Sequence, residues 1–199
     1  AEPAAAAATP ERPQSRLVPA DDSTRKQWVH VATAIAFLND SGLPLLPQLE
    51  AALLARGENL HIRINDQNAA GFHYYRDYEY HDALRAQKVR GVLTWNPFIG
   101  LQIPSGEILS PAEVFYHEAA HALQYTEHTD QFVEQTDGLS HTDDGFSNPE
   151  EKRTIQGIET PASAIVGPKL GRRAGALVRN HVDGKFVRVI GPLSITPAR

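Results

Sequence analysis

Ser110-Pro111-Ala112-Glu113 is a strong helix start, and the helix it opens constrains the chain more than any other feature. Serine caps, proline suits the first turn, and the glutamate three residues after the cap completes a capping box. The helix is expected to continue through Val114, Phe115, His117-Glu118-Ala119-Ala120-His121 and Leu123. Four residues along a helix turn a side chain through roughly 400°, so His117 and His121 face one way, a turn apart. That spacing lets both imidazoles reach one Zn²⁺ at ~2.0–2.1 Å. Glu118 projects beside them, placed to take a proton from a water that such an ion acidifies. The plainer reading is a surface helix that carries two histidines by accident. Against it, the segment is helical on independent signals and is surrounded by small or apolar residues.

With 199 residues, the chain suits one domain able to bury a core unaided. It has no cysteine, which excludes disulfides, cysteine-ligated metal and thiol catalysis. A net charge of −5, with no Lys/Arg cluster, argues against nucleic acid as a partner. No apolar run reaches membrane-spanning length, so no membrane partner is expected. The chain is expected to act as a monomer. It contains no methionine, so residues are expected to have preceded Ala1.

Residues 1–20, rich in Ala, Pro and charge, read as a disordered leader before a single domain over residues 21–199. Ser23 is expected to cap a helix carrying Trp28, Val31, Ile35 and Leu38. A second helix fits Leu45 to Leu54, stopped by Gly57. Leu60, Ile62 and Ile64 alternate with His61 and Arg63 as a half-buried strand. Further strands are expected within Phe72–Tyr80, at Val92–Trp95 and at Phe186–Ile190. Residues from Thr126 to Ser147 read as a polar loop over the cleft, and Asn148 starts another helix. Helices and short strands without a βαβ rhythm predict an α+β domain. Val92–Trp95 also suggests an edge strand that could hold an extended peptide, although Trp95 suits core packing equally well.

A catalytic zinc needs a third protein ligand and an open position. No histidine stands six residues beyond His121; Glu127 does, and His128 is one place too far. A glutamate from a later helix is the other source, with Glu151 and Glu159 as candidates. Glu151 also fits as the capping residue of Asn148, and Glu159 lies just before Pro161, where the helix should end. The stretch Glu150-Glu151-Lys152-Arg153-Thr154-Ile155-Gln156-Gly157 reads E-E-x-R-T-φ-x-G. Together with HEAAH and with Thr94-Trp95-Asn96-Pro97 upstream, it resembles the NleD/XopG-like zinc metalloproteases, which are bacterial type III secreted effectors. The E-E-x-R-T element is also similar to one in clostridial neurotoxin light chains. The resemblance covers about residues 90 to 190.

That resemblance implies a zincin-like α+β domain with an HExxH helix and a small mixed sheet. It implies Zn²⁺ held by His117, His121 and Glu151, with Glu118 as catalytic base. Glu150 becomes a carboxylate behind the ligands, and Arg153 and Thr154 become braces. The implied activity is hydrolysis of an internal peptide bond in a host protein, a signalling kinase among relatives, after delivery into the host cell cytoplasm. The chain departs from the light chains in having no tyrosine after Tyr125. Arg172, Arg173, Arg179 and His181 are available near the end, each reading more naturally as a solvated residue, so the group stabilising the oxyanion stays unassigned. The rival reading is a non-catalytic zinc-stabilised binding module, which would have no need of Glu118.

Overall fold

A computed structural model describes residues 15–137, 145–173 and 184–198 of the chain. Its architecture is α+β, with helices packed around a four-stranded mixed sheet and a second, three-stranded sheet. The first described strand, β1 (Leu17–Pro19), falls inside the stretch expected to be a disordered leader. Leu17 is buried in the core, and β1 pairs in parallel with β2 (Asn59–Ile64). The short apolar Leu17-Val18 pair is too brief to register against the Ala/Pro-rich run before it. Residues 1–14 of the expected leader lie outside the described residues.

The first helix starts at Asp21, not Ser23. The Asp21 carboxylate accepts the Thr24 N–H at 2.7 Å and caps α1 (Asp22–Lys26). The helix is interrupted at Gln27 and resumes as α2 (Trp28–Asp40), whose Val31, Ala34 and Leu38 are buried. Helix α3 (Leu45–Arg56) ends as expected at Gly57, whose φ of 65° places it in the left-handed region that favours glycine.

Strand β2 runs as anticipated, except that His61 is buried too, hydrogen-bonded to Gln87 Oε1 at 3.2 Å. Strand β3 (Gly71–Tyr74) stops well short of Tyr80, because the chain turns over residues 76–80. There the Glu79 carboxylate accepts the Arg76 N–H. After α4 (Asp82–Gln87), β4 (Val89–Trp95) inserts between β2 and β3, parallel to the first and antiparallel to the second. Strand β4 is therefore interior, which corrects the expectation of an edge strand at Val92–Trp95. Trp95 is fully buried, and its Nε1–H donates to the Pro111 carbonyl at 2.8 Å, pinning the end of β4 to the next helix. Among the described residues the edge strand on that side is β3.

Strands β5 (Ile99–Gln102) and β6 (Ile108–Leu109) pair with each other, and β7 (Lys185–Arg188) joins β5 antiparallel. Helix α5 (Pro111–Glu127) carries the full capping box of Ser110 and Glu113. Every residue from Pro111 to Thr126 is buried, which is the signature of a central helix. Ala112, Ala119, Ala120 and Ala122 let α3 and the sheet approach it closely.

The expected loop after Thr126 contains α6 (Thr129–Asp137). Only Phe132 and Val133 in it are apolar, too few for a periodic signal. Phe132 is nonetheless buried among Phe72, Tyr74 and Tyr125. Asn148 caps α7 (Pro149–Thr154) as anticipated, accepting the Glu151 N–H. The helix does not end before Pro161. It widens into a π turn over Ile155–Glu159 and continues as α8 (Thr160–Lys169). Proline lacks the N–H that an α-helix needs and its ring clashes one turn back. The π turn, in which the Thr160 N–H reaches the Ile155 carbonyl, accommodates it near the start of α8.

Arg172 is not solvated, and it does not line the cleft at His117. Its side chain is buried and clamps the Glu113 carboxylate, while also donating to the Ile108 carbonyl at 2.9 Å. Ser163 also donates to Glu113, at 2.7 Å. Arg172→Ala would leave a buried carboxylate short of its charge partner, and we expect a loss of about 3–5 kcal/mol in urea unfolding. A loss below about 1 kcal/mol would show the pair to be dispensable.

Candidate metal centre

Helix α5 presents His117 and His121 to α7, and the two Nε2 atoms stand 3.1 Å apart. Glu151 completes the group, with Oε2 3.4 Å from His117 Nε2 and Oε1 3.3 Å from His121 Nε2. One ligand atom from each of the three lies within 4.8 Å of the others, so the cluster could hold a metal ion. Both imidazoles are held from behind. Glu150 Oε1 accepts from His121 Nδ1 at 3.0 Å, and Glu159 Oε2 lies 2.8 Å from His117 Nδ1. The Glu159 contact is close but out of line for a hydrogen bond, so it acts mainly as a charge contact.

The Glu150 bond fixes the His121 proton on Nδ1, the Glu159 charge favours the same tautomer of His117, and the two Nε2 lone pairs are then turned toward one another. Two lone pairs at that separation repel unless a proton or a cation lies between them. A borderline-soft divalent ion bound by two imidazoles and a carboxylate fits this donor set.

The E-E-x-R-T element braces the site. Glu150 is fully buried and receives Arg153 through two bonds of 2.7 Å, from Nε and from a terminal nitrogen. Thr154 donates to Glu150 Oε1 at 3.3 Å. Arg153 and Thr154 are thus not a surface salt bridge and an idle threonine: both fix the carboxylate that orients His121. The role of Glu159 behind His117 is concealed in the sequence by Pro161. Eight residues overshoot two α-helical turns by about 0.8 residue. The π turn takes up that excess and returns Glu159 to the face that carries Glu151.

Charge follows this geometry. Burial disfavours protonated His117, but bonds to Glu151 and contacts with Glu159 outweigh it and push its pKa up to about 10 without metal. His121 is likewise raised: burial opposes its charge, and Glu150 and Glu151 overcome it. Burial also works against ionised Glu151, yet the two imidazoles hold it well below the usual carboxylate range. Glu118 moves the other way. Its burial raises the pKa, and only in part do the neighbouring imidazoles and the Phe72 N–H counter this.

His117, Glu118, Glu151 and Glu159 line a cleft of about 240 Å³, whose apolar wall includes Leu101, Val114 and Phe186. No arginine or tyrosine lines it among the described residues. Arg173 is exposed, and Arg179, His181 and His141 lie outside the described residues. Tyr125 turns away from the cleft and stacks on Tyr74 at 4.9 Å. His30 packs edge-on against Phe98, His73 pairs with Glu79, and His81 precedes α4, so none joins the cluster. Among the described residues no single helix is long and apolar enough to cross a membrane. Comparison with known proteins finds no matching family, curated protein or solved structure.

Metal uptake must displace the proton that His117 holds up to about pH 10. Apparent affinity for a divalent ion should therefore rise roughly tenfold or more per pH unit between about 7 and 9. The sign for the metal-free fold is opposite. A histidine raised from 6.5 to about 10 contributes stability that is complete below 6.5 and lost as pH rises through 10. Competition titrations across that range test the first statement, and a flat profile would contradict it. Glu159→Gln should keep one metal per chain and weaken its affinity by about 10–100-fold.

Proposed function

We propose that the chain is a zinc-dependent endopeptidase that cuts an internal peptide bond of a host protein, as a bacterial effector delivered into the host cell. One observation carries the reading: a carboxylate with a raised pKa, Glu118, lines the same cleft as His117 and Glu151, two members of the three-residue cluster that could hold a metal ion. A structural ion held by the three ligands would not require that fourth group. The sequence resemblance to NleD/XopG-like effectors supplies the host-cell setting, and a signalling kinase is the substrate class it suggests.

Zinc, favoured by two imidazoles and a carboxylate, would polarise the scissile carbonyl and acidify a water molecule. Glu118 accepts the proton of the attacking water and returns it to the departing amine, a task suited to a carboxylate whose pKa burial has raised. Glu150 and Glu159 keep the imidazoles aimed, which spares them reorganisation during turnover. The Leu101, Val114 and Phe186 wall suits an apolar substrate side chain next to the bond cut.

Strand β3 takes the peptide-holding role expected of Val92–Trp95. The Tyr75 N–H crosses to the Arg90 carbonyl at 2.7 Å, and strand alternation then points the Phe72 N–H away from β4, toward Glu118. A peptide laid along that edge passes the carboxylate.

Glu118→Gln should retain the metal and lose about 10²–10⁴-fold in cleavage of a peptide pool. Equal rates in the variant and the parent chain would remove Glu118 from the chemistry. Full cellular activity in the variant would favour a zinc-stabilised binding module instead.

A further inference from the structure

A second cleft, of about 400 Å³, opens at the other end of β3. Arg56, Arg76 and Arg90 line it, against a single acid, Asp77, on a chain of net charge −5. Tyr74 and Tyr125 stack at 23° to form part of its lining. We propose that this cleft receives an acidic side chain, carboxylate or phosphate, from an extended polypeptide lying along β3; the substrate role rests on the peptidase reading above.

Two of the guanidiniums are held in place while staying open to a further anion. Arg56 is anchored by donating to the Thr126 carbonyl at 2.8 Å and is paired with Glu58 at 3.1 Å. Arg90 lies over the Tyr80 ring, 4.0 Å from its centroid. Its carboxylate partner, Asp77 at 3.2 Å, is 94% exposed. A solvated pair of that kind contributes little and exchanges readily for a better-placed anion. Arginine forks match carboxylate and phosphate oxygens in two-point fashion, and the stacked tyrosines supply a rigid wall beside them.

Alignment with the metal centre is what makes this a substrate position. Ala70 lines the metal cleft, while Tyr74 and Tyr75 line the arginine cleft. Strand β3 is the segment between them, and a strand rises about 3.3 Å per residue. Measured along β3, the two clefts are thus about four residues apart. A peptide pairing with β3 would place its acidic residue three to five positions from the bond next to Glu118.

Two readouts separate this proposal from the peptidase reading. The first is NMR of the arginine Nε–H groups in the zinc-loaded chain, titrated with sodium sulfate against sodium chloride at equal ionic strength. The second is sequencing of products from a random peptide pool. We expect Arg56, Arg76 and Arg90 to shift saturably with sulfate only. We also expect acidic residues to be enriched at least tenfold at one position three to five residues from the cut. In Arg56→Gln/Arg90→Gln both signals should vanish, an acidic peptide then being cut no faster than its neutral counterpart. Saturation by sulfate with no peptide cut supports the anion cleft and overturns the peptidase reading. Cleavage without acidic preference, or no saturable shift, overturns the proposal and leaves the peptidase reading standing.

Discussion

Glu113, His117, Glu118 and His121 all sit within one helix that is buried on every side, and an unpaired buried charge would cost the fold several kcal/mol. The chain must therefore supply a partner to each. The region from α7 to Arg172, just past α8, provides most of them: Glu150 and Glu151 for His121, Glu151 and Glu159 for His117, Ser163 and Arg172 for Glu113. Glu118 receives only the Phe72 N–H and the field of the imidazoles, and keeps a raised pKa. The same docking of one helical unit on another thus satisfies the core and assembles the His117, His121 and Glu151 cluster that could hold a metal ion.

This coupling explains why irregular backbone occurs where it does. The π turn at Ile155–Glu159 absorbs Pro161 and brings Glu159 behind His117. Glu113, read from the sequence as one half of a capping box, also anchors α8 through Ser163 and the chain beyond it through Arg172. Strand β3, antiparallel at the sheet edge, passes along α5 and contributes Phe72 to the site and Tyr74 to the arginine cleft. Strand β3 therefore runs between the cleft that holds Glu118 and the cleft that holds the arginines.

Local signals made the helix skeleton legible: Ser110 with Glu113, Asn148, and Gly57 each did what its residue type dictates. The paired histidines were readable for the same reason, since a helix converts spacing directly into facing, whereas Glu151 stood beside Glu159 as a candidate until the resemblance singled it out. What failed depended on tertiary context. Leu17–Pro19 becomes a strand only because β2 lies beside it. Helix α6 has too few apolar residues to be periodic and is held by Phe132 in an aromatic cluster. Strand order, which moved the edge from β4 to β3, is a pairing property that no single segment carries. Arg172 looked solvated because its partner lies 59 positions away.

Every role proposed for this site depends on two imidazoles and one carboxylate sharing a divalent ion. X-ray absorption at the zinc edge of the metal-loaded chain tests this most directly. We expect a four- or five-coordinate first shell at ~2.0–2.1 Å with the multiple-scattering signature of two imidazoles. A six-oxygen shell without imidazole, or zinc that washes out before measurement, would contradict it.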